Sequence, residues 1–232
     1  MKRTLICLAL ASAGLAARAG TLTVTVNDKD GRPAPDVVVL VDMPIRPAVT
    51  TAPVTATIVQ QGLKFRPFLT VVPAGSTLRF VNRDGYDHHV RSQPSGPLGA
   101  VPPAQNFELR LDAAEGATRQ AEDDYQNPHA APRKKSGMSQ IDVKVEKTGP
   151  IALGCHLHSS MRGQVYVSPT PWFGKTDAEG VARIDAVPDG PVQLTLWHPD
   201  QLQEQAPLRA ESGASPVAVS GQLNFVPRRR RN

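Results

Sequence analysis

The chain of 232 residues is long enough for one or two domains with proper hydrophobic cores, and its formal charge is +5 at pH 7. Lys2, Arg3 and Arg18 lie in an N-terminal segment that we expect to be removed, so 23 of the 26 basic residues remain against 21 acidic ones. The four arginines at 228–231 exceed that small surplus, so the folded body is nearly neutral and gives no indication of a nucleic-acid-binding surface.

Residues 1–19 have the organisation of a secretory signal peptide. A positive start at residues 2–3 precedes an apolar stretch at 5–15, and the small-x-small pattern at 17–19 forms a cleavage site. Cys7 lies beside the positive start, too early to be the lipid-accepting cysteine of a lipoprotein, so we expect no lipid anchor. We therefore expect an exported, periplasmic protein, and no later stretch is long or apolar enough to cross a membrane.

Period-two alternation of apolar and polar residues dominates the rest of the chain, and no convincing amphipathic helix is present. Many short strands with Pro and Gly turns predict an all-β protein made of antiparallel sandwiches. The alternating run at 21–26 predicts a half-buried strand, whereas the unbroken apolar run at 37–41 predicts a fully buried one. Further strands are predicted at 56–60, 69–72, 77–81, 107–111, 141–145, 151–153 and 164–167.

Residues 91–140 differ from the rest of the chain. They are rich in Pro, Gly, Ala and charge, and apart from the strand at 107–111 they predict a long surface loop. The three acidic residues at 122–124 are expected to be solvated rather than to form a catalytic pair of carboxylates. His129 in this loop is expected at the surface, and His198, farther along the chain, is expected to be structural.

The most informative stretch of the chain carries a thiol, an imidazole and a thioether at intervals of three residues, as Cys155, His158 and Met161. A second source of imidazole, His88 followed by His89, lies well upstream. Two histidines, one cysteine and a weakly bound methionine form the ligand set of a mononuclear blue-copper centre. The residues therefore predict a site for one copper ion, with either His88 or His89 as the second histidine.

Cys155 would be the sole thiol left after signal cleavage, in a compartment where cysteines are normally paired in disulfides. Coordination to a metal would keep it as a shielded thiolate. An isolated cysteine is more often a small buried hydrophobe, but the spacing of His158 and Met161 favours a ligand. Zinc is the main rival metal, and a thioether is a poor ligand for it. A nucleophilic Cys155 with His158 as base would lack a third, orienting group, so we do not expect an enzyme.

Three segments together resemble a plastocyanin-like cupredoxin. They are residues 72–82, residues 88–90 and residues 154–163. The likeness is greatest to bacterial exported proteins that are labelled methylamine utilisation proteins. It implies a Greek-key cupredoxin β-sandwich at residues 54–168, with 91–140 as a long loop.

The same resemblance implies a role for each ligand. His88 takes the place of the first histidine, at the end of a strand, and His89 takes the polar position after it. Cys155, His158 and Met161 come from the loop between the last two strands. Met161 is then the axial ligand, with fewer residues before it than small plastocyanins usually have.

The flanking segments resemble a second family. Residues 21–41 look like the opening hairpin of a carboxypeptidase-regulatory-like, or transthyretin-like, β-sandwich, and residues 176–197 look like its continuation. This resemblance implies a sandwich of residues 20–50 and 170–226 with the cupredoxin domain inserted into it; a tandem of independent domains is the alternative. It adds predicted strands at 182–185 and 192–197, and leaves residues 227–232 as a basic, solvated tail.

The ligand set favours electron transfer, because a thiolate, two imidazoles and a distant thioether suit both oxidation states of copper. By position, Asn82 is expected to tune the sulfur through hydrogen bonding, and His156 is expected at the solvent edge. We therefore expect a periplasmic electron carrier that works with a redox partner protein. The alternatives are a copper-holding module that passes copper from a donor to an acceptor, and a structural envelope β-sandwich with a vestigial site.

Overall fold

The computed structural model describes residues 19–44, 51–114 and 138–228. Within these ranges the chain forms sixteen β-strands and no helix, so the all-β prediction is confirmed. None of the described residues belongs to a helix long and apolar enough to span a membrane. Four predicted features lie outside the described residues: most of the predicted signal peptide, the acidic residues at 122–124, His129 and the arginines that follow residue 228.

The strands are mostly short and assemble into four sheets. Two sheets have the strand orders β13-β1-β16 and β12-β2-β14-β15, and the other two have the orders β5-β11-β10-β7-β8 and β4-β3-β6-β9. The bounds are β1 Ala19–Asn27, β2 Val38–Asp42, β3 Thr55–Gln60, β4 Phe65–Arg66, β5 Leu69–Pro73, β6 Ser76–Asn82, β7 His88–Gln93, β8 Glu108–Leu111, β9 Gln140–Val145, β10 Gly149–Cys155, β11 Arg162–Ser168, β12 Trp172–Lys175, β13 Val181–Pro188, β14 Gly190–Trp197, β15 Leu208–Ser212 and β16 Val217–Gln222.

Strand pairing divides the described chain into two groups. The outer group consists of β1, β2 and β12 to β16, and the inner group consists of β3 to β11. Each group has two sheets, and both of those sheets contribute side chains to one hydrophobic core. The chain therefore enters the outer group, passes through the whole inner group and then returns to the outer group.

The position of β2 explains its unbroken apolar run. This strand lies between β12 and β14 in its sheet, and Val39 and Val41 on one face join the core of the outer group. On the other face, Val38 and Leu40 pack against Leu69 of the inner group. Because both faces are covered, polar residues would be left without water on either side.

The two groups meet through side chains of β5 and β11 on one side and of β2, β12 and β14 on the other. The rings of Tyr166 and Trp197 are 4.9 Å apart between their centroids across this contact. The ammonium group of Lys175 donates a hydrogen bond of 3.4 Å to the carbonyl oxygen of Leu69. The contact is therefore largely apolar, with polar support at its margin.

Among the described strands, three pairs are parallel: β1 with β16, β3 with β6, and β5 with β11. The expectation of antiparallel sandwiches is wrong for these pairs. The turn at residues 73–76 shows one reason, because it carries the chain from β5 in one inner sheet to β6 in the other. A connection between sheets does not form a hairpin, and β6 instead lies beside β3 in the same direction.

Candidate metal centre

Two antiparallel neighbours bring the distant parts of the site together. His88 is the first residue of β7 and Cys155 is the last residue of β10, and these strands pair with Cys155 opposite Val90. The start of one antiparallel strand lies beside the end of its neighbour, so both side chains reach the same edge of the sheet. The expectation that His88 ends a strand is therefore wrong, since it begins one.

The donor atoms of three predicted ligands converge. Cys155 Sγ lies 3.6 Å from His88 Nδ1 and 3.5 Å from His158 Nδ1, and all three atoms lie within 4.8 Å of one another. Two donors bound about 2.0–2.3 Å from one ion at tetrahedral angles lie about 3.5 Å apart. The side chains present therefore fit one metal ion without large movement.

Burial differs among these three side chains. His88 is 1% exposed and Cys155 is 4% exposed, whereas His158 is only partly buried. Tyr86 lies beside both imidazoles, with ring centroids 5.3 Å from His88 and 5.0 Å from His158. The cluster therefore has a dry side at His88 and a side open to solvent at His158.

Met161 occupies a tight turn that follows His158. Its backbone amide donates to the carbonyl oxygen of His158 at 3.1 Å, and its side chain is fully buried in the core cluster that contains Cys155. A thioether enclosed in the same core as the thiol agrees with the predicted ligand set. Its assignment as the axial ligand stays a prediction.

The thiol receives a backbone hydrogen bond from the neighbouring strand. The amide of His89 donates to Cys155 Sγ at 3.4 Å, and the amide of His156 donates to the carbonyl oxygen of His89 at 2.8 Å. Asn82 was expected to serve the sulfur, but its described hydrogen bonds go elsewhere. Its side-chain amide donates to the carbonyl oxygens of Tyr86 and Asp112, so it organises the loop before β7.

The remaining histidines near the thiol face away from it. Successive residues of a strand point to opposite faces, so His89 lies on the other side of the sheet from His88. Its ring pairs with the carboxylate of Glu108 and lies 5.5 Å from the exposed ring of His156.

His198 is buried within the outer group, where its ring accepts a hydrogen bond from the amide of Asp200.

One contact of the site was missed from the sequence. The carboxylate of Asp84 lies 3.0 Å from Nε2 of His88, on the far side of the ring from the thiol. Burial would raise the pKa of the Asp84 carboxyl, but hydrogen bonds from the amides of Gly62 and Leu63 and from the His88 ring lower it below its usual value. The sequence did contain a signal for this contact. Asp84 lies four residues before the predicted ligand His88, and carboxylates often hydrogen-bond to histidines that bind metals.

No protein-family model and no curated protein matches the sequence. Solved structures are similar to it over about half of the chain. The Cu-containing nitrite reductase of Thermus scotoductus SA-01 is 18% identical with a TM-score of 0.35, over 55% of this chain and 26% of that one. A purple cupredoxin from Nitrosopumilus maritimus is 19% identical with a TM-score of 0.32, over 49% of this chain and 99% of that one.

Amicyanin from Paracoccus versutus is 16% identical with a TM-score of 0.30, over 52% of this chain and 86% of that one. Of the nitrite reductase, by contrast, this chain spans only about a quarter of the length. At these identities and TM-scores, the likenesses assign no function. The function follows instead from the donor atoms around Cys155.

Proposed function

We propose that the protein is an exported electron-transfer protein of the cupredoxin type, which holds one copper ion between His88, Cys155 and His158, with Met161 as a weaker ligand. The observation that carries this proposal is the approach of two imidazole nitrogens to one thiol sulfur at 3.5–3.6 Å, one of them from a histidine 67 residues away. A thiolate combined with imidazoles and a thioether is a donor set that suits copper.

Copper, when bound, supplies a one-electron couple at this site. The chain contributes ligands whose positions are fixed beforehand, because His88 and Cys155 belong to paired strands and the sulfur accepts the amide of His89. Ligands that are fixed in this way need little rearrangement on gain or loss of an electron. His158 is the most exposed of the three, so a redox partner protein would approach that side.

Location and domain organisation are part of the same proposal. The signal-peptide pattern of residues 1–19 supports export to the periplasm. The separate pairing of the two strand groups supports a cupredoxin domain at 54–168, inserted into a transthyretin-like sandwich of residues 20–50 and 170–226. The resemblance to methylamine utilisation proteins supports the same arrangement without identifying the partner.

The test is the visible absorption spectrum of the mature protein after addition of Cu(II). We expect an intense sulfur-to-copper charge-transfer band and reversible one-electron reduction in voltammetry. Cys155→Ser removes the thiolate and should abolish the band. His156→Gln is the matched control, because His156 is adjacent but exposed and turned away from the cluster; this variant should keep the band.

Other outcomes would replace the proposal. Tight binding of Cu(I) without a coloured Cu(II) form, with transfer to an acceptor protein, would indicate a copper-holding module. Binding of Zn(II) with no measurable affinity for copper would contradict the copper assignment. Failure of the wild-type protein to bind any of these ions would leave a structural β-sandwich with a vestigial site.

A further inference from the structure

The imidazole of His88 is held from both of its nitrogens. Nδ1 faces Cys155 Sγ at 3.6 Å, and Nε2 lies 3.0 Å from Asp84 Oδ2. An ionised carboxylate only accepts hydrogen bonds, so this contact requires the proton of the ring to be on Nε2. In the neutral ring, Nδ1 then keeps its lone pair on the side of the thiol, which is the form that binds a metal.

Asp84 is itself held by the turn between β3 and β4. The amide of Gly62 donates to Asp84 Oδ1 at 2.7 Å, and the amide of Leu63 also donates to this carboxylate. From the other side, the amide of Asp84 donates to Asn82 Oδ1 at 2.9 Å. These contacts fix the carboxylate and direct its second oxygen toward His88.

The turn is a tight hairpin connection, in which the amide of Gln61 donates to the carbonyl oxygen of Lys64 at 3.0 Å. Gly62 and Leu63 have φ values of 61° and 58°, in the left-handed region. Glycine adopts this region freely, but it is unfavourable for leucine. Two-residue hairpin turns commonly have positive φ at both central residues, and here the amides of those residues donate to Asp84. Two successive amides aimed at one carboxylate also form an anion-binding arrangement.

We propose that Asp84 is a positioning residue of the metal centre, which holds His88 in the tautomer with an unprotonated Nδ1 and whose charge favours Cu(II) over Cu(I). The tautomer part concerns the metal-free protein and stands by itself. The copper part rests on the proposed function. Carboxylate partners of this kind orient the ring and make it more basic, and their loss typically lowers metal affinity by about 10–100-fold.

The first test uses the wild-type protein without metal and so needs no variant. Long-range ¹H–¹⁵N NMR spectra distinguish the two tautomers of a neutral imidazole. We expect His88 to carry its proton on Nε2 alone. In Asp84→Asn, which has nearly the same shape without the charge, we expect a mixture of both tautomers at His88. A wild-type His88 protonated on Nδ1 would overturn the proposal.

The second test measures copper binding in Asp84→Asn. We expect Cu(II) affinity to fall about 10–100-fold, Cu(I) affinity to fall less, and the reduction potential to become more positive. Each tenfold difference between the two losses corresponds to about 59 mV for one electron. The charge-transfer band should remain, because the thiolate is untouched.

Asp87→Asn is the matched control. Asp87 belongs to the same loop, but its carboxylate accepts the backbone amide of Ala113 at 2.9 Å. Its variant should therefore keep the wild-type potential and the wild-type His88 tautomer. Equal shifts in the two variants would show a general effect of loop charge and would overturn the specific role of Asp84.

Failure of this inference is distinguishable from failure of the proposed function. If the wild-type protein shows the charge-transfer band but Asp84→Asn has the same potential and affinity, the role of Asp84 in the copper couple is wrong while the copper site stands. If no band forms in the wild-type protein, the copper assignment is wrong. The tautomer measured without metal then still decides whether Asp84 positions His88.

Discussion

The two strand groups share an architecture of paired sheets but differ in what they bury. The core of the outer group is aliphatic apart from Trp172, and its buried polar side chains serve the backbone. Thr176 is an example, since its hydroxyl accepts the amide of Val37 at 2.8 Å and donates to the carbonyl oxygen of Ala34 at 2.7 Å. The inner group instead includes Cys155 and Met161 in its core, with His88 buried beside them.

The difference shows that the same arrangement of two sheets around a core can serve stability alone or can also position a candidate metal site. In the outer group, the buried hydroxyls of Thr170, Thr176 and Ser212 donate hydrogen bonds to backbone carbonyl oxygens. In the inner group, His88, Cys155 and His158 collect at one edge, where β10 ends and β7 begins, and their candidate donor atoms lie within 4.8 Å of one another. Among the described residues, the cluster of side chains that could hold a metal ion therefore lies in the inner group, and we expect the outer group to contribute stability.

The largest expected effect is a loss of stability on truncating a core leucine, and it tests the difference between the two cores. Leu194 in the outer core and Leu153 in the inner core are both almost fully buried. Changing either to alanine should lower the free energy of unfolding by about 2–5 kcal/mol. Only Leu153→Ala should also weaken copper binding, because Leu153 precedes Cys155 by two residues on β10.

Urea unfolding followed by tryptophan fluorescence measures the outer group, since both tryptophans, Trp172 and Trp197, lie in its strands. The charge-transfer band measures the inner group. If Leu194→Ala altered the copper spectrum as strongly as Leu153→Ala, the comparison between the groups would break down.

The next effect tests whether Met161 is a ligand or only a core residue. Met161→Leu keeps similar volume, so the loss of stability should be less than about 1.5 kcal/mol. If the thioether binds copper, the same change should alter the charge-transfer spectrum and the reduction potential. Met138→Leu is the control, because Met138 is 51% exposed. An unchanged spectrum in Met161→Leu would assign Met161 to packing alone.

The smallest effect concerns the contact between the groups. Aromatic pairs contribute about 0.5–1.5 kcal/mol beyond buried area, and Tyr166 and Trp197 form such a pair across the contact. We expect a double-mutant cycle with alanine at both positions to give coupling of this size. A cycle on Phe80 and Phe107, whose centroids are 5.6 Å apart within the inner group, is the control. Zero coupling for Tyr166 and Trp197 would show that this ring pair does not stabilise the contact between the groups.

Much of the fold could be predicted from local patterns. Alternation at residues 21–26 and the apolar run at 37–41 correspond to β1 and β2. The strands β4, β7, β12, β15 and β16 were not predicted, and β7 extends into the segment that was predicted as a loop from residue 91. β4 has only two residues. β12 has only four residues, and β15 and β16 lie at sheet edges where most of their residues are partly exposed, so hydrophobic periodicity gave a weak signal.

The candidate site could also be predicted in part, because some of its residues form a local sequence pattern. Cys155, His158 and Met161 lie within seven residues, so their spacing alone indicated a soft metal site. The contact of Asp84 with His88 depends on the path of the loop between β6 and β7 and on the turn at Gly62. Those positions follow from hydrogen bonds between distant segments, which periodicity does not report.

The sequence by itself determined the kinds of donor atom and the strand periodicity, since both are properties of neighbouring residues. The residue types left His88 and His89 both open and the resemblance favoured His88, and the tertiary structure places His88 beside the thiol. Pairing of Cys155 with Val90 turns His88 toward the thiol and His89 away from it. Side chains alternate between the faces of a strand, so a shift of one residue in this register would exchange the two histidines. Register is set by the packing of whole sheets, and no local pattern fixes it.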